Sequence, residues 1–247
     1  MQERDYIYLV EIDMLMRGAD GEITPVGYER MIMDSIEKHF AINRRAESEG
    51  ELLKKGVAWV IISTSIEIKS RISPGEKLHS RTWEVEKKGL VFRREVGIYH
   101  EDGTLAAGAA TFFVVIDTEK RSMVRNPENY VSCVAANGER LTDGESRIKF
   151  KAEGFETVEE LTVRPSWIDA VGHVNNVRYL EMVYDALTDA ERENMSKLKR
   201  LEAYFISELH KGEKIAFSRK SEDGCTSVAV SKPGEAKPAF VAKLFFE

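Results

Sequence analysis

Two stretches of this chain carry the same amphipathic pattern. Within Val174–Leu187, Tyr179, Met182, Val183, Ala186 and Leu187 recur at i, i+3, i+4, i+7 and i+8. That spacing is one apolar face of a helix. Setting Asp20–Ile36 against Val171–Leu187 pairs Gly21 with Gly172, Val26 with Val177, Tyr28 with Tyr179, Met31 with Met182 and Asp34 with Asp185. Ile23/Val174, Ile32/Val183 and Ile36/Leu187 are conservative pairs. Further on, Gly75-Glu76-Lys77 before one strand-like run is echoed by Gly212-Glu213-Lys214 before another. Two copies with different internal loop lengths point to a duplicated domain rather than a short-period solenoid.

Strand patterns follow each helix. Val57–Ile72 ends in strict alternation, with Ile66, Ile68 and Ser70 on one face and Glu67, Lys69 and Arg71 on the other. Ser73-Pro74-Gly75 is a turn, and strands are expected over Lys77–Glu86, Val91–Tyr99 and Leu105–Ile116, the last two joined through Asp102-Gly103. The Ala-Ala-Gly-Ala-Ala run at the start of the third strand lets a helix or a ligand approach the sheet closely. The second half repeats this plan, with strands expected over Glu160–Val163, Leu201–Leu209, Lys214–Lys220, Thr226–Ser231 and Phe240–Phe246. A short strand opens the chain in Tyr6–Ile12. A long helix followed by an antiparallel sheet that can wrap it is an α+β unit. Residues 1–130 form the first unit and 156–247 the second. The polar, turn-rich stretch 131–155, with Asn137-Gly138, connects them.

Composition narrows the class. The 247 residues suffice for two compact units. A content of 43% hydrophobic and 32% charged residues is that of a soluble globular protein. A net charge of −6 gives no reason to expect nucleic acid or an anionic membrane as partner. Two cysteines, Cys133 and Cys225, without metal-ligand spacing, suit a reduced, cytoplasmic protein. No N-terminal apolar run suggests a signal peptide or membrane span.

The chemistry gathers at the second helix. Asp169, Gly172, His173, Val174, Asn175 and Asn176 immediately precede it or open it. Free N–H groups and the positive end of the helix dipole can hold an anion there. His173 titrates nearest neutral pH and is a candidate base. Asp169 could orient it or take a proton itself. The two asparagines are good N-caps, and Gly172 permits a positive φ.

With these residues in view, the chain resembles the acyl-acyl carrier protein (acyl-ACP) thioesterases of bacterial type. Their pattern reads Asp-x-Asn-x-His-Val-Asn-Asn-x-x-Tyr, matched here by Asp169, His173-Val174-Asn175-Asn176 and Tyr179. Trp59, Trp83 and Glu208 add support. The resemblance implies a tandem double hotdog, in which two long helices are each wrapped by a curved antiparallel sheet. The catalytic groups sit in the second unit and the acyl chain in the first. It implies hydrolysis of the thioester that joins a fatty acyl chain to the phosphopantetheine arm of its carrier, ending fatty acid synthesis without metal or cofactor. An acyl-CoA thioesterase and a non-catalytic acyl- or carrier-binding protein are the alternatives, and the chain either stands alone or pairs as a homodimer.

Hydrolysis of a thioester needs an oriented water, a base and oxyanion donors. Asp169, His173 and Glu208 are the catalytic candidates, with Glu208 expected on a strand that turns Tyr204 and Ile206 inward. Backbone N–H groups of Gly172, Val174, Asn175 and Asn176 are candidate oxyanion donors. Met31, Ile32 and Trp59 are candidate pocket residues. Arg44-Arg45, Lys54-Lys55 and the Lys197–Arg200 cluster are candidate contacts for an acidic carrier. Two departures stand out: Val171 replaces the pattern's asparagine, and Leu209, not cysteine, follows Glu208. In the first copy Gly18 and Glu22 stand where the second has Asp169 and His173.

Overall fold

The computed structural model describes residues 5–132 and 139–246, so Cys133 and the Asn137-Gly138 turn lie outside the described residues. In chain order the elements are β1 (Tyr8–Val10), α1 (Pro25–Asn43), α2 (Glu49–Lys54), β2 (Val57–Ile68), β3 (Leu78–Lys88), β4 (Val91–His100), β5 (Leu105–Asp117) and β6 (Ser122–Met123). Then follow β7 (Glu156–Thr162), α3 (Asn176–Asp185), α4 (Asp189–Arg192), β8 (Leu198–Phe205), β9 (Lys214–Glu222), β10 (Cys225–Ser231) and β11 (Phe240–Phe246). They fall into two compact units, residues 1–11, 31–70 and 75–146, and residues 12–30, 71–74 and 147–247. The first six residues of α1 thus group with the second unit and the remainder with the first.

In the first unit the strands run β1-β3-β4-β5-β2, all antiparallel, with β6 on β5. Phe40 of α1 packs on Trp59 with ring centroids 6.0 Å apart, and the Arg94 guanidinium lies 5.0 Å from the Phe40 ring. The opposite face of the sheet is covered by residues 139–146. Leu141 N–H donates to Glu95 Oε2 (3.0 Å), Arg93 donates to the Thr142 carbonyl (2.6 Å), and the Trp83 indole donates to the Glu139 carbonyl (3.0 Å). The small residues of β5 make this approach possible: a Cβ on Gly108 would stand 3.0 Å from Leu141 Cβ. In the second unit the order is β8-β11-β10-β9-β7, again antiparallel. Tyr179 of α3 stacks on Phe240 of β11 at 4.9 Å, and its whole expected face, Tyr179, Met182, Val183, Ala186 and Leu187, is buried.

Two strands end sooner than their alternation suggests. β2 stops at Ile68, because Lys69 and Ser70 N–H both donate to the Ala106 carbonyl. β8 stops at Phe205, because Ile206 and Ser207 N–H both donate to the Ala239 carbonyl. Two successive donors on one acceptor break the two-residue period. Ile206 is therefore turned out, 42% exposed, while Tyr204 remains buried.

Candidate active site

The polar turn before α3 is held by its own side chains. Asp169 Oδ1 accepts from the N–H groups of Val171 (2.9 Å), Gly172 (3.1 Å) and His173 (3.4 Å). Gly172 makes this wrap possible at φ 90°. Asn175 caps α3 by accepting from Val177 N–H at 3.0 Å. Asp169 Oδ2 lies 3.3 Å from His173 Nδ1, which is also 3.1 Å from the Val174 carbonyl. Two oxygen acceptors at Nδ1 make it the protonated nitrogen of the neutral ring. The lone pair is then on Nε2, which is buried and has no partner among the described residues.

The expected oxyanion donors divide on inspection. Gly172 N–H is taken by Asp169, Val174 N–H by the Leu209 carbonyl (2.9 Å) and Asn175 N–H by the Trp167 carbonyl (2.9 Å). This corrects the reading of all four as free donors, since a turn that must be rigid uses its own N–H groups. Among the described residues Asn176 N–H, at the first position of α3, has no acceptor. Asn176 is not the cap, a role filled by Asn175.

Glu208 is not on the strand, as expected, but in the loop that follows β8, beyond the point where the ladder closes on Ala239. Its carboxylate is 3.7 Å from His210 Nε2, and His210 Nδ1 is 3.2 Å from the Gly172 carbonyl. His210 thus stands between Glu208 and the turn before α3, a proximity whose only trace in the sequence was a histidine two residues past the glutamate. Burial pushes the Tyr179 hydroxyl well above its ordinary pKa, opposed by its hydrogen bond with the Leu209 backbone and reinforced by the charges of Glu208, Glu213 and Asp169.

Beside this turn lies a cavity of about 810 Å³, lined by Asp169, Asn175, Trp167 and Val177 and, from the first repeat, by Val26 and Arg30. All these residues belong to the second unit, and of the expected site residues Asp169 and Asn175 line the cavity while His173, Asn176 and Glu208 do not. The volume is that of a small-molecule site. Met31, Ile32 and Trp59 do not line it. They lie in the first unit, Met31 and Ile32 in its core and Trp59 against Phe40, Phe92 and Phe113.

The first repeat folds into the same turn without the chemistry. Gly18 N–H donates to the Glu22 carbonyl as Asp169 N–H does to that of His173. Thr24 N–H donates to Met16 as Asn175 N–H does to Trp167. A Cβ in place of the Gly18 hydrogen would stand 2.6 Å from the Tyr184 hydroxyl, so that ring end must move to admit a side chain there. Glu22 is ion-paired with Arg71.

The sequence model of the acyl-ACP thioesterase N-terminal domain matches residues 30–134, and that of the C-terminal domain matches residues 150–237. No curated protein sequence matches the chain. Among solved structures, an acyl-ACP thioesterase from Bacteroides thetaiotaomicron superimposes with a TM-score of 0.83, at 22% identity and over 100% of both chains. A 12:0-ACP thioesterase from Umbellularia californica gives 0.77, at 15% identity over 98% of this chain and 96% of the other. At such identities these structures speak for the tandem double hotdog fold. With the two domain models of one family matched in order along it, the chain belongs to the acyl-ACP thioesterase family and is a thioester hydrolase.

Proposed function

We propose that this hydrolase releases free fatty acid from acyl-ACP by general-base attack of water, with His173 Nε2 as the base. The observation that carries the reading is the buried, unpartnered Nε2, set by two acceptors on Nδ1. Water hands its proton to Nε2 as its oxygen attacks the thioester carbonyl, and Asp169 Oδ2 balances the imidazolium that forms. Three N–H donors occupy Asp169 Oδ1, which suits that carboxylate to orienting rather than proton transfer. Asn176 N–H, at the positive end of α3, is the donor for the oxyanion. The imidazolium then protonates the departing phosphopantetheine thiolate.

The cavity beside Asp169 is the candidate seat of the acyl chain. Arg44 is occupied by Glu47 (2.5 Å) and Glu84 (3.1 Å), so exposed Lys197 is the better contact for an acidic carrier. The low cysteine count fits a cytoplasmic setting.

Hydrolysis of one acyl group presented on carrier protein and on coenzyme A, under matched conditions, tests the assignment. A higher kcat/KM on the carrier protein is expected. Preference for coenzyme A would move the assignment to an acyl-CoA thioesterase on the same fold. Binding without turnover of either, with turnover appearing in Val171→Asn, would mean that the wild-type chain holds acyl groups rather than cutting them.

A further inference from the structure

In the first unit, away from the site above, a serine, a histidine and a carboxylate form a relay. Ser70 Oγ is 2.6 Å from His100 Nε2, and His100 Nδ1 is hydrogen-bonded to Glu76 Oε1. The acceptor on Nδ1 makes that nitrogen the donor, so Nε2 receives the Ser70 hydroxyl proton. This is the nucleophile–base–acid order of an activated serine. The His100 side chain is 15% exposed and that of Glu76 26%, so the group is sheltered yet reachable.

Each member comes from a strand end. Ser70 follows β2, fixed where Lys69 and Ser70 N–H converge on the Ala106 carbonyl. Glu76 follows the Gly75 turn (φ 76°) before β3. His100 closes β4, opposite Leu78.

The second repeat provides the comparison. Ser207 sits at the same kind of strand end, with Ile206 and Ser207 N–H converging on the Ala239 carbonyl. Glu213 occupies the place of Glu76 in the matching Gly-Glu-Lys turn. There the glutamate is paired with Lys232, at 2.8 Å, one residue beyond the Ser231↔Ala216 pair. A plain ion pair is therefore enough to pin these strand ends. In the first repeat the partner is instead an imidazole with a serine on its far nitrogen.

We propose that Ser70, His100 and Glu76 form a second nucleophilic centre that takes acyl groups from activated esters and thioesters. Ser70 Oγ bonds to the carbonyl carbon while its proton passes to His100 Nε2. The bond from carbon to the leaving oxygen or sulfur breaks, and that atom receives the proton from His100. Water then reverses the sequence on the acyl-serine, giving the free acid and restoring the serine.

The test treats the intact chain with p-nitrophenyl acetate and, separately, with an alkyl fluorophosphonate, mapping adducts by peptide mass spectrometry. The expected result is one adduct on Ser70, retained in Asp169→Ala, absent in Ser70→Ala and formed at least ~100-fold more slowly in Glu76→Gln. Thermal melts show whether each variant is folded. An unmodified Ser70 in the folded wild type with both probes would overturn the proposal, as would equal labelling rates in wild type and Glu76→Gln.

Discussion

Glu29 is fully buried on α1, with no partner for either carboxylate oxygen among the described residues. It falls in the apolar stripe that includes Ile32, Ile36 and Phe40, and its counterpart in the second repeat is the buried Leu180. Burial alone pushes its pKa up to about 7. A carboxyl whose pKa rises on folding binds its proton more tightly in the folded state. Its contribution is full below the unfolded pKa of about 4.5 and is lost as pH rises through about 7. Glu29→Leu should therefore stabilise the protein more at pH 8 than at pH 4.5, by roughly 3 kcal/mol from a shift of this size. Denaturant unfolding of both proteins at the two pH values checks this, and an equal gain at both would mean that Glu29 is not buried as an acid. The position was legible in the sequence as a charge in an apolar stripe. The lack of any partner was not, because that depends on what the neighbouring elements bring to it.

At the scale of elements, the repeated turn and helix were readable because identities at helical spacing imply one shared face. The hydrogen bonds bear this out turn for turn, from Gly18/Asp169 to Thr24/Asn175. The copies differ in that Glu22 stands in place of His173 and that an acid at position 18 would have to displace the Tyr184 hydroxyl. Gly18→Asp should therefore create no second site and should destabilise by about 1–3 kcal/mol through overpacking. A melt reads the loss, and unchanged stability would show that the turn has slack. Gly172→Ala should cost about 1 kcal/mol or more, since φ 90° is strained for a residue with a Cβ. It should also lower kcat by misplacing Asp169, while a variant with unchanged turnover would show that the turn need not be rigid. The strand ends were less legible. Ile206 continues the apolar alternation on paper, and only the shared acceptor at Ala239 stops the ladder and moves Glu208 into a loop.

For the whole molecule, periodicity established an α+β plan, and the motif at Asp169–Tyr179 tied it to a family that both domain models then matched. The cavity wall was the part that the sequence hid. Val26 and Arg30 of the first repeat share it with Asp169, since residues 12–30 group with the second unit rather than with the helix they begin. Sequence order suggests two separate halves, whereas residues 12–30 and 71–74 of the first group with the second. The catalytic claim rests on one pair within this arrangement, Asp169 and His173. The most direct test is kcat/KM for acyl-ACP hydrolysis by the wild type, His173→Ala and Asp169→Ala, with melts to establish that each is folded. A fall of about 100-fold or more in both variants is predicted, as expected for the loss of a general base and its orienting acid. Turnover in folded His173→Ala within a few fold of the wild type would contradict the account and move the base elsewhere.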